Sequence, residues 1–171
     1  GSDETGIVAV GIKGARGTTQ GYVLEDASGK FRPEEWARVA LSLYHEMKAD
    51  CIVAEANQGG DMVESVIRAM EAQTRQRPAR VKLVHATKGK GIRAEPIAAL
   101  YERRLVHHVG DFPALEDQMC SFSIDFNRIA QGYSPDRLDA LVWALTELFP
   151  PLAVSNSISR KPIHRPKPRF L

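Results

Sequence analysis

Apolar residues in this chain come as short β-branched runs that alternate with stripes at helical spacing. Residues 6–12, GIVAVGI, and 19–25, TQGYVLE, read as strands. The glycine-containing KGARGTT between them predicts an antiparallel hairpin. Pro33 stands where proline favours a helix start, and Trp36, Ala40, Leu43 and Met47 follow at helical spacing. A strand is expected at 50–54. A helix follows from Gly60 to about Ala72, with Met62, Val63, Val66, Ile67 and Met70 as its apolar stripe. After QTRQRPAR comes a strand at 80–84, and 86–92, ATKGKGI, reads as a loop. Residues 93–103 predict a helix with Pro96 in its first turn, RLVHHV a short strand, and 112–122 a helix carrying Leu115, Met119 and Phe122. Ser134 and Pro135 suit the cap and first turn of a last helix, whose buried face would be Leu138, Leu141, Val142 and Leu145. Helices alternating with strands after an opening hairpin predict an α/β domain over 1–150, with a mixed β-sheet flanked by helices. Residues 151–171, proline-containing and basic, predict a flexible C-terminal tail.

Composition narrows the class. The 171 residues are 43% hydrophobic and 26% charged, as in an ordinary globular domain with a core of its own. No apolar run approaches the ~20 residues of a membrane span, and no secretory signal layout opens the chain. Cys51 and Cys120 have neither disulfide-framework nor zinc spacing, which fits a reducing, cytoplasmic setting. The net charge of +2 does not by itself indicate a nucleic-acid binder. Its distribution does more: Lys88, Lys90 and Arg93 form a basic loop able to grip a phosphate backbone, and Lys161, Arg165, Lys167 and Arg169 make the tail basic.

Three carboxylates carry the candidate chemistry. CIVAEANQGG puts Glu55 at the carboxyl end of a buried strand, followed by a polar, glycine-marked turn. Ligands of α/β sheets gather at such ends. SPDRLDALVWAL puts Asp136 and Asp139 three apart on one face of a helix start. Acidic residues there also favour the helix dipole and need no further role. Asp139, however, lies inside the apolar pattern, where a carboxylate is costly unless paired or metal-bound. Convergence of Glu55, Asp136 and Asp139 would suit hard ions such as Mg²⁺ or Mn²⁺, two of which about 4 Å apart catalyse phosphodiester cleavage. His85, His107 and His108 read as ordinary strand-end residues, and Trp36 and Trp143 as core.

The blocks IVAEANQGGDMVESVIR, KGIRAEPIAALYERRLVHH, FPALEDQMCSF and YSPDRLDALVWALTELF, in that order, resemble the C-terminal nuclease domain of a phage terminase large subunit. The resemblance runs from about Asp3 to Phe149. It implies an RNase H-like fold, similar to Holliday-junction resolvases, and cleavage of concatemeric double-stranded DNA with two Mg²⁺ or Mn²⁺ ions. It makes Glu55 the second acidic ligand and Asp136 the third, with Asp139 in support, and sets Lys88, Lys90 and Arg93 near the active face. The family's first ligand is an Asp ending a central strand upstream of SDETGIVAVG. That strand is expected to be missing here, leaving its two neighbours unpaired and the chain alone weakly active or inactive. No G-x-x-x-x-G-K-[ST] loop occurs, so the ATPase domain of such a large subunit is also expected to be absent. Implied partners are double-stranded DNA, the portal protein and the small terminase subunit, at the procapsid in a bacterial host. Two alternatives stay open: a non-catalytic DNA- or portal-docking module, and a structure-specific resolvase.

Overall fold

A computed structural model describes residues 4–15, 18–56, 60–74, 76–122 and 134–149, with Gly60 and Asp61 described by their backbone alone. The tail 151–171 lies outside these residues. The described elements, in order, are β1 (Val8–Lys13), β2 (Gln20–Asp26), α1 (Pro33–Glu46), β3 (Ile52–Glu55), α2 (Gly60–Glu71), β4 (Val81–Val84), α3 (Lys90–Glu102), β5 (Val106–His108), α4 (Pro113–Ser121) and α5 (Asp136–Leu148).

The predicted hairpin is present: β1 runs antiparallel to β2, with Val10 opposite Val23 and a register shift between Ala9 and Val10. β5 joins β2 in parallel, giving the order β1-β2-β5. β3 and β4 pair in parallel as a separate two-stranded sheet. The expected mixed sheet is therefore divided in two. Among the described strands only β2 is paired on both sides; β1, β3, β4 and β5 each have one partner.

Two apolar clusters match this division. Val23 and Val106 from the three-stranded sheet meet Ile97 and Leu100 of α3, Leu115 of α4 and Leu138, Leu141, Val142 and Leu145 of α5. Ala37 and Leu41 of α1, Ile67 and Met70 of α2 and Ala79 make the second cluster, with Ile52 and Val81 packed against it. α5 joins the halves, since it lies against β1, β2 and β3. Lys82 of β4 adds an ion pair of 2.6 Å to Glu147 near the end of α5.

Several details differ from the sequence reading. On α1 the buried positions are Ala37 and Leu41, with Trp36 and Tyr44 beside them, whereas Met47 is exposed. Amphipathic spacing allowed either face, and contact with α2 selected this one. Met62, at the start of α2, is 65% exposed. α3 begins at Lys90, not at residue 93, so part of the expected loop is helical and Pro96 lies inside the helix. The carbonyl that Pro96 deprives of a donor belongs to exposed Ile92, where water can replace the missing bond.

Leu141 is fully buried at the centre of the first cluster. Leu141→Ala should cost about 2–5 kcal/mol, read as a lowered urea midpoint at unchanged slope.

Candidate functional site

The carboxyl end of β3 and the first turns of α3 and α5 meet at one place. Glu55 is the last residue of β3. Asp136 and Asp139 lie in the first turn of α5, and Lys90 and Arg93 in the first turn of α3. Three carboxylates and two cations therefore share one cleft.

Their contacts form a connected set. Arg93 donates from Nη2 to Asp139 Oδ1 at 2.6 Å and from Nη1 to Glu55 Oε1 at 3.3 Å. Its guanidinium carbon stands 4.6 Å above the Trp143 ring. Lys90 Nζ lies 3.3 Å from Asp139 Oδ2 and 3.4 Å from Asp136 Oδ1. Lys90 also donates to Ser134 Oγ at 3.2 Å, and that hydroxyl donates to Asp136 Oδ1 at 2.5 Å. Both oxygens of Asp139 are thus taken, one by each cation. The nitrogens Arg93 Nε and Trp143 Nε1 are buried without a hydrogen-bond partner among the described residues.

Asp139 is 7% exposed and is the one buried charged residue among those described. Burial pushes its carboxyl above its ordinary value, and the Glu55 charge adds to the push. Lys90 and Arg93 pull the other way without cancelling it.

The start of α5 is fixed by residues that sequence pattern did not reveal. Ser134 makes no side-chain cap on α5; its hydroxyl is used by Asp136 and Lys90. The capping acceptor is Gln118 of α4, whose Oε1 takes the backbone N–H groups of Arg137 and Leu138 at 3.1 and 3.2 Å. Arg137 reaches the opposite way. It holds Glu4 through two nitrogens, at 2.9 and 3.1 Å, and Asp26 at 2.7 Å. Both carboxylates, with Glu4 first, raise the Arg137 pKa further above its ordinary value. Gly6 passes so close that a Cβ there would collide with the Asp136 carbonyl oxygen. The sequence signal for these supports was the odd Arg137 between two aspartates.

Of the expected DNA-contacting residues, only Lys88 lies exposed, in the loop before α3. Lys90 and Arg93 turn inward to the carboxylates. His85 is exposed. His107 and His108 part company: His107 Nε2 meets Gln20 at 2.9 Å, while His108 lies 2.8 Å from both Tyr101 Oη and Glu116 Oε1.

Carboxylate oxygens are the donors a hard divalent cation takes, so donor type fits Mg²⁺ or Mn²⁺. The spacing is that of an ion-paired cluster: among the described residues no three acidic, His or Cys side chains stand close enough to hold a metal ion.

The described residues form an α/β domain with five helices and two sheets. The family model described as the terminase RNaseH-like domain matches residues 1–148, and the chain belongs to that family. No curated protein and no solved structure matches the chain. No helix of the described residues is long and apolar enough to cross a membrane.

Two outcomes follow. Between 3.8, the ordinary Asp139 value, and its raised value, the folded chain keeps a proton the unfolded chain has lost. Stability from this group therefore falls as pH rises through that window. Urea titrations across it should show the falling segment, and Asp139→Asn should remove it. Arg137→Met leaves the Asp26 side chain, 5% exposed within a half-buried residue, without its cation and should cost about 3 kcal/mol in the same assay.

Proposed function

We propose that this domain is a divalent-metal-dependent DNA endonuclease that cuts concatemeric double-stranded DNA during genome packaging. The observation that carries the reading is the convergence of Glu55, from the end of β3, with Asp136 and Asp139, from the start of α5, on one pair of cations. The terminase RNaseH-like match over residues 1–148 supports the same reaction class. Glu55, Asp136 and Asp139 supply the oxygen donors that Mg²⁺ or Mn²⁺ takes, and would hold an ion only once drawn closer than their ion-paired spacing. Ions held there would supply an activated water and neutralise charge developing on the phosphate.

The chain's own residues have separable tasks in this reading. Asp136 and Asp139 present their oxygens from a helix start that Gln118, Arg137 and Gly6 fix in place. Exposed Lys88 meets the DNA backbone, with Lys90 and Arg93 behind it. Contacts to phosphate position the duplex without reading its sequence, so weak sequence preference is expected. The portal protein, the small terminase subunit and an ATPase domain are the partners this role requires.

A second reading, a DNA- or portal-docking module without catalysis, is favoured by one observation. Lys90 and Arg93 already occupy the Asp139 oxygens, so the cluster is consistent with a purely structural ion-pair network.

Plasmid nicking in Mn²⁺ and Mg²⁺, with EDTA as control, separates the two. The nuclease reading expects metal-dependent nicking that Glu55→Ala and Asp136→Ala each reduce by more than about 100-fold, beyond what losing a residue that merely orients a ligand costs. Salt-dependent DNA binding by a folded chain that nicks nothing in any metal would establish the docking reading instead.

A further inference from the structure

The three-stranded sheet has a second face, away from the core, that is left open among the described residues. Helices α3, α4 and α5 pack on the side of Val23 and Val106. Tyr22 alternates with Val23 along β2 and pairs with Gly11 of β1 and His107 of β5, so these three form a row across the opposite side. Leu24 and Val109 border the same groove, with Ile12 and Lys13 at its end. Val109 is 63% and Ile12 47% exposed, and His107 is exposed as well.

The groove is built to take a flat ring. The Tyr22 and His107 rings lie 5.5 Å apart, their planes inclined by 31°. Gln20 Oε1 steadies both, accepting from His107 Nε2 at 2.9 Å and from Tyr22 Oη at 3.4 Å. Beside Tyr22 the floor is Gly11, where an added Cβ would meet nothing nearer than Leu24 Cδ1 at 3.4 Å. An oriented aromatic face next to bare backbone leaves room for a base to stack. The charges point the same way. Lys13 pairs with Gln20, and Arg104 precedes Leu105, whose carbonyl accepts the Gly21 N–H, so both cations stand at one end of the sheet. Both are exposed, neither forms an ion pair among the described residues, and no acidic side chain lines the groove.

We propose that this face is a binding platform for single-stranded nucleic acid, with bases stacked on Tyr22 and His107 and the backbone passing Lys13 and Arg104. A duplex offers no free base face to such a platform. Aromatic grooves also take proline-rich peptides, but unpaired cations favour a polyanion. Stacking does not read the sugar, so DNA and RNA strands share the required chemistry. The platform is separate from the acidic cleft. Gly6 touches Asp136 at the start of β1, whereas Ile12 lies at its other end, on the order of 20 Å away. The proposal therefore does not depend on the nuclease reading.

The test is fluorescence anisotropy on the full chain in EDTA, so that nothing is cut. The probes are labelled oligo-dT and oligo-U strands of about 15 nucleotides and a duplex of the same length. Both strands should bind, more weakly as salt rises, and Tyr22→Leu, which keeps apolar bulk without a ring, should weaken them about tenfold. Lys13→Gln should lower the salt slope by about 0.7. Gly11→Val fills the floor at an open strand position, should weaken the strands similarly, and decides the matter if Tyr22→Leu does not fold. Duplex binding should be unchanged in all three variants. Equal affinity for the two strands supports a platform indifferent to the sugar, and a preference for one supports the platform and names its source. A folded chain that binds neither strand overturns the proposal, even if it takes a proline-rich peptide. Unchanged strand affinity in Tyr22→Leu and Gly11→Val overturns it too, as does an equal loss of duplex binding.

Discussion

Everything at the site follows from one carboxyl side chain placed on a core helix. Asp139 sits among Leu138, Leu141 and Val142, on the helix that packs against β1, β2 and β3. A carboxylate there loses most of its hydration and would be strongly unfavourable alone. Two cations from α3 make it tolerable, and they fix how α3 and α5 meet. The first turn of α3 must face the first turn of α5, or Arg93 and Lys90 cannot reach both Asp139 oxygens. Packing of Ile97 and Leu100 then continues the same contact deeper in the core.

The same end of α5 is constrained from two more sides. Gln118 caps it from α4, and Arg137 ties it to Glu4 and Asp26 next to the hairpin. Gly6 allows the chain entering β1 to touch the Asp136 backbone, which any side chain would prevent. These contacts come from segments far apart in sequence. They hold the acidic turn rigid even though β1-β2-β5 and β3-β4 are separate sheets. Glu55 belongs to one sheet and the α5 turn is anchored to the other, so Arg93, which touches both Glu55 and Asp139, spans the division.

Most of the elements were legible because their residues state a period. The hairpin, β3, α2, β4 and the apolar face of α5 lie where the pattern put them, within a residue or two. Asp139 was legible for the opposite reason, as the one position that breaks an apolar run. What failed to show was anything decided by a neighbour. Lys90 and Arg93 look like a basic loop because lysine and glycine surround them; only their helical spacing, three apart, hinted that both would face one way. The buried stripe of α1 could not be separated from the Leu43–Met47 alternative until α2 was in place. Ser134 is a natural cap by residue type, yet Asp136 and Lys90 claim its hydroxyl and Gln118 takes the capping role. The division into two sheets depends on which strand edges pair, and periodicity is silent about that.

The cations also bear on the one carboxyl that burial disfavours, that of Asp139. Burial, and to a smaller degree the Glu55 charge, push that carboxyl towards its neutral form. A protonated carboxyl is a poor donor to a hard cation, because its lone pairs are fewer and its charge is gone. Lys90 and Arg93 oppose that drift at Asp139, although burial still outweighs them. The side chains that occupy the Asp139 oxygens are therefore also the ones that draw its carboxyl back towards the ionised form. A Gln at either position would free an oxygen and remove a support at once.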